Sequence, residues 1–143
     1  MPQMNKGNKF ILGKSQIQHD LSICFPTQAV AEYNAEAEGK VFLFTGSKAT
    51  GGFCVTRKEL LEPSKLGHIL TDNPDLQNYR TAEGEFVSYK GQSYCWVSIS
   101  ENGIIKLNQE MMRFLDLKIG MELLSIRSSN IAFTMGAKGI LTS

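Results

Sequence analysis

Cys54, His19 and His68 are the residue types from which a thiolate and imidazole pair for nucleophilic catalysis is built. Nothing in their spacing joins them. Cys54 lies in the alternating apolar run "FCVT", where a cysteine is ordinarily a small buried hydrophobe. The three cysteines, Cys24, Cys54 and Cys95, are odd in number and show no CxxC spacing, so neither a disulfide framework nor a zinc site is suggested. The glycine-rich stretch 45–52, "TGSKATGG", could cradle a phosphate through its backbone amides. It lacks the Gly-Lys-Ser/Thr ending of a P-loop and lies between two strand-like runs rather than before a helix, which favours a hairpin loop with Lys48 solvated. Tyr89, Tyr94 and Trp96 could stack on nucleic-acid bases or a small ligand, although aromatics at alternating strand positions more often pack across strands. No catalytic residue, cofactor or metal site is assigned.

The elements that would position these residues are legible from periodicity. Residues 1–8 are polar, and "KFIL" begins a short strand. Residues 21–25 read as a strand ending at Pro26, residues 27–38 as a helix closed by Gly39, and residues 40–44 and 53–56 as a hairpin. Residues 103–107 read as a strand, Asn108 caps a helix running to Asp116, and two strands at 122–126 and 131–135 follow. On that second helix Met111 and Leu115 share a face, with Phe114 beside them to close over the strands. Between the two runs, Thr56 and Glu59 have capping-box spacing. Further short helices follow, then a hairpin turning at "GQ" and carrying Tyr94 and Trp96.

The two runs have nearly equal spacing. Pro26 to Gly39 is thirteen residues and Asn108 to Gly120 is twelve, while Gly39 to Val55 is sixteen and Gly120 to Met135 is fifteen. This is the pattern of a degenerate internal repeat with an offset of about 82 residues.

Composition sets the frame. At 143 residues, one domain can bury roughly two thirds of its unfolded surface, and 42% apolar with 20% charged residues is the balance of a folding chain. No basic-then-apolar leader opens the sequence and no apolar run approaches a membrane span, so a cytoplasmic protein is expected. A net charge of +1 and a pI near 7.7 are not the profile of a strongly basic nucleic-acid binder, and any basic face must be local.

The stretch "GIIKLNQEMMRFLDLKIGMEL" resembles the swapped-hairpin superfamily of the transition-state regulator AbrB, which includes MazE-type antitoxins, SpoVT and MraZ. The likeness is good over 103–135 and fair over 21–55. It implies an α+β fold, a swapped-hairpin β-barrel formed within one chain as a pseudo-dimer. Residues 1–143 would be a single domain, with halves at 21–56 and 103–136 and an insertion of short helices and a hairpin at 57–102.

The resemblance also implies DNA binding and transcriptional regulation without enzymatic activity. Phosphate contacts would fall to Lys106, Arg113 and Lys118, with Lys40, Lys48, Arg57 and Lys58 as further candidates. Two departures stand against it. The paired helix arginines of AbrB correspond to Met112 and Arg113, and the first helix has no basic residue while carrying Glu32, Glu36 and Glu38, which would repel phosphates. The alternative is a barrel that has lost DNA binding and serves as a protein-interaction or small-ligand module, with Tyr89, Tyr94 and Trp96 as the ligand candidates. Self-association is compatible with either; a membrane is not expected.

Overall fold

The computed structural model describes residues 3–4, 10–45 and 51–137. They form a mixed α+β structure dominated by antiparallel sheet. In chain order the elements are β1 (Gln3–Met4), β2 (Phe10–Gln16), β3 (Ser22–Cys24), α1 (Thr27–Tyr33), β4 (Lys40–Thr45) and β5 (Phe53–Thr56). Three short helices follow, α2 (Lys58–Leu61), α3 (His68–Asp72) and α4 (Pro74–Gln77). The remainder comprises β6 (Val87–Tyr89), β7 (Gln92–Ser98), β8 (Ile104–Lys106), α5 (Gln109–Phe114), β9 (Glu122–Arg127) and β10 (Phe133–Gly136).

The strands do not close into the expected barrel. Eight of them form one open sheet in the order β1-β2-β9-β10-β5-β4-β7-β6, and β3 pairs with β8 in a separate ribbon. The short pieces β1 and β6 are its two edges, and among the described residues no ladder runs from its last strand back to its first.

Across the sheet and the ribbon the backbone repeats itself. Ile23 faces Ile105 in the ribbon, 82 residues on. Lys14 pairs with Leu124 in the β2 and β9 ladder, and Trp96, 82 residues after Lys14, pairs with Phe42, 82 before Leu124. Strands β2 and β7 thus hold corresponding places, and each pairs with the hairpin of the other copy. The hydrogen bond from Phe25 N–H to the Gly103 carbonyl has its counterpart in Leu107 N–H to the Leu21 carbonyl, both at 2.9 Å. Left-handed backbone recurs at the same shift: Leu21 and Gly103 have φ of 68° and 77°, Asn34 and Asp116 have 54° and 57°. Only Gly103 of these four takes that conformation without a Cβ penalty.

Of these, Asn34 and Asp116 lie just past the two helices. Asn34 C-caps α1, so the helix stops at Tyr33 and the following residues turn, well short of Glu38. The first helix is therefore shorter than its apolar stripe suggested. The Thr56 capping box does not form either. Its hydroxyl donates to the Ile131 carbonyl at 2.6 Å, and α2 starts from Arg57 with no side-chain cap. The hairpin turns at Lys90 and Gly91, both with positive φ, one residue earlier than "GQ".

One core lies between the sheet and the layer made of the ribbon, α1 and α5; Ile23, Phe25, Ala29, Leu43, Phe53, Val55, Ile105, Met111 and Phe133 meet there. Phe133 contacts Phe25 edge-on at 5.2 Å between centroids and Tyr33 at 5.3 Å. A second cluster occupies the opposite face over β4, β5 and β7, where Phe42, Phe44 and Tyr94 are covered by Leu61, Ile69, Leu70 and Leu76 of the short helices. The unbroken run "VFLF" follows from this arrangement, because β4 is buried on both faces and every position must be apolar.

Candidate functional site

The seven basic residues expected to meet phosphates do not form one set. Arg57 is turned inward: its side chain is only 11% exposed. It donates to Glu38 at 2.9 Å, to Glu59 at 3.2 Å and to the Tyr33 carbonyl at 3.0 Å. The bond to Glu38 raises the guanidinium's already high pKa. Lys40 and Lys58 lie over the ring of Tyr79, at 5.2 and 4.6 Å from its centroid, where cation–π attraction holds them to the insertion helices. Lys48 lies outside the described residues.

Lys106, Arg113 and Lys118 remain. All three are exposed, on β8, on α5 and just beyond α5. None of them forms an ion pair among the described residues. Met112, beside Arg113 on the helix, is buried. The corresponding residues 82 positions earlier are Cys24, Ala31 and Glu36, so at these three positions the basic character belongs to the second copy alone.

The three aromatics do not form a shared stacking surface. Tyr94 is 3% exposed, stacked on Phe44 with ring centroids 5.4 Å apart. Trp96 donates its indole N–H to the Thr81 carbonyl at 2.9 Å and meets Tyr79 edge-on. Tyr89 donates its hydroxyl to Asp72. Each is accounted for by packing against the insertion helices or their connections.

Cys54 is buried, its Sγ 3.4 Å from the Thr134 hydroxyl. Burial pushes its thiol pKa up, away from the thiolate a nucleophile needs. His19 and His68 are both exposed. No group of three or more metal-ligating side chains gathers among the described residues.

What the sequence did not mark is a groove of about 690 Å³ between α5 and the segment 82–86. Asn108 sets one side by capping α5, its Oδ1 accepting from Met111 N–H at 2.8 Å. The other side is held by the bond from Gly84 N–H to the Trp96 carbonyl at 2.9 Å. Gly84 has φ of +82°, and a Cβ there would come 2.7 Å from Met111 Sδ. The positive φ favours glycine here, and a side chain would also have to displace Met111. Phe114 stacks on Phe86 at 4.4 Å between centroids yet remains 52% exposed. It does not close over the strands as its place in the apolar stripe suggested, because Met111, Met112 and Leu115 already fill the buried face. A fourth apolar residue on so short a helix was the available signal.

No helix among the described residues is long and apolar enough to cross a membrane. No family model matches the sequence, and no curated protein is similar to it.

Proposed function

We propose that this chain is a single-chain relative of the AbrB swapped-hairpin proteins that works as a protein-interaction module, without enzymatic activity and without the family's phosphate-binding surface. The crossed pairing of β2 with β9 and of β7 with β4 supports the kinship, since each copy completes the other's sheet. The observation that carries the functional reading is the one-sidedness of the charge. A pseudo-dimer gripping a duplex presents cations from both copies, whereas Cys24, Ala31 and Glu36 stand where the second copy has Lys106, Arg113 and Lys118.

Exposed apolar surface is one-sided in the same sense. Ile104, Phe114 and Ile119 are three of the four large apolar side chains exposed among the described residues. Their counterparts in the first copy are Ser22, Glu32 and Ala37. Surface of this kind marks contacts with other proteins more often than contacts with phosphate.

The three unpaired cations favour a second reading, a regulator that touches DNA through the second copy alone. Fluorescence anisotropy with a labelled mixed-sequence duplex, titrated from low to physiological salt, separates the two. The interaction module gives no saturable binding even at low salt. A one-sided DNA contact gives binding whose logarithm falls with log salt at a slope of about 3, roughly one ion per phosphate neutralised.

A further inference from the structure

We infer that the groove between α5 and residues 82–86 is the docking site for a basic peptide segment carrying an aromatic or aliphatic anchor, contributed by a protein partner. The inference rests on the reading of the chain as an interaction module and names the partner's chemistry.

The floor is apolar, formed by Met111 with the stacked pair Phe86 and Phe114. Half of Phe114 is open to solvent. Covering an aromatic face of this kind is the usual centre of a peptide hot spot. The rim carries Glu83, Glu85 and Glu110, and no lysine or arginine lines the groove. Glu83 already accepts from Ser98 N–H at 2.7 Å. Glu85 and Glu110 form no ion pair among the described residues. An acidic peptide or a phosphate backbone would therefore be repelled, whereas lysine or arginine flanking an apolar anchor would complete the charge.

The walls are preformed. The Gly84 N–H is bonded to the Trp96 carbonyl and Glu85 N–H to the Ala82 carbonyl at 3.0 Å, so little ordering cost falls on this side of the interface. The groove's exposed aromatic is not repeated in the first copy. The counterpart of Phe114 is Glu32. Glu32 is bound bidentately by Arg127, at 2.6 Å to each oxygen.

The test uses the full chain and a short synthetic peptide with lysines flanking a central Trp-Leu pair, together with its glutamate-flanked counterpart. Titration calorimetry is run on both peptides, and the labelled duplex is measured on the same preparation. The expected result is saturable binding of the lysine peptide with no binding of the glutamate peptide. The Phe114→Ala variant should weaken binding about tenfold or more, and the double variant Glu85→Lys, Glu110→Lys should abolish it. Far-UV circular dichroism shows whether each variant keeps its fold, and because both sites are on the surface a loss of fold is not expected. Equal binding of the two peptides, or binding indifferent to Phe114→Ala and to the charge reversal, overturns the inference. Concentration-dependent dimerisation abolished by Phe114→Ala would assign the groove to a second copy and overturn it also. Absence of binding by peptide and duplex alike sinks the inference and leaves the functional reading standing, whereas saturable duplex binding sinks that reading.

Discussion

The two copies of the strand, helix and hairpin unit share a pairing scheme and differ in their surfaces. In the first copy the helix contributes Ala29 and Tyr33 to the core and ties Glu32 to Arg127, and the outer face of its sheet lies under α2, α3 and α4. In the second copy the helix fills the core with Met111, Met112 and Leu115, leaves Phe114 in solvent and walls a groove. Hydrogen bonds and left-handed residues recur at one shift through both. The lesson is that duplication preserves the pairing scheme and frees the surface, so function is to be sought where the copies disagree.

The comparison breaks most visibly if the cores are not equivalent. Phe53 and Phe133 hold crossed places in the β5 and β10 ladder, Phe53 opposite Met135 and Phe133 opposite Val55. Both are 0% exposed. Phe53→Ala and Phe133→Ala should each cost about 3–5 kcal/mol in urea unfolding. Phe133 should cost about 1 kcal/mol more, because it alone meets Phe25 and Tyr33. Cooperative loss of the whole fold in both variants is expected. A variant that unfolds one copy while the other persists would show two independent units.

Arg57 sharpens the difference in surfaces. The second hairpin is two residues shorter, Thr56 pairing with Phe42 where Gly136 pairs with Leu124, so the position of Arg57 corresponds to Ala137 in the second copy; Arg57 serves structure by joining Glu38, Glu59 and the Tyr33 carbonyl. Arg57→Met should lower stability by about 2 kcal/mol, since Glu38 loses its charged donor, keeping only the Glu59 N–H, and the Tyr33 carbonyl loses the guanidinium. Thermal unfolding measures this. Any affinity for a duplex should be unchanged by the substitution, and a loss of duplex binding with intact stability would place Arg57 on a phosphate instead.

The smallest effects test the backbone. Asn34 and Asp116 are exposed, both in the left-handed conformation just past their helices. Asn34→Gly and Asp116→Gly should each raise stability by about 0.5 kcal/mol, relief of the Cβ penalty outweighing the entropy glycine adds to the unfolded chain. Gains in one copy and not the other would mean that the two turns differ in strain despite their matching angles.

Much of the scaffold could be read from the residues. The switch from alternation to helical spacing at Asn108 and the Gly120 that follows located β8, α5 and β9, and "VFLF" located β4. The equivalence of β2 and β7 was hidden, because Leu12 and Lys14 resemble Tyr94 and Trp96 in alternation only and a bulge at Leu12 shifts the ladder. Pairing across 82 residues leaves no local trace. The expectation of a barrel foundered on sheet closure, a long-range property that periodicity does not carry.

The site was less legible than the fold. Arg57, Lys40 and Lys58 look free in sequence, yet an acidic partner and an aromatic ring far along the chain take them up. The groove joins residues from 82–86 to residues from 108–114, and no motif spans them.

The most direct measurement of the central claim is a ¹⁵N chemical-shift titration of the intact chain, once with the lysine-flanked peptide and once with the duplex. Shifts confined to the amides of 82–86 and α5, seen with the peptide and not with the duplex, are the predicted result. Perturbation of α1 and α5 together by the duplex would contradict it, placing function on the surface the two copies share.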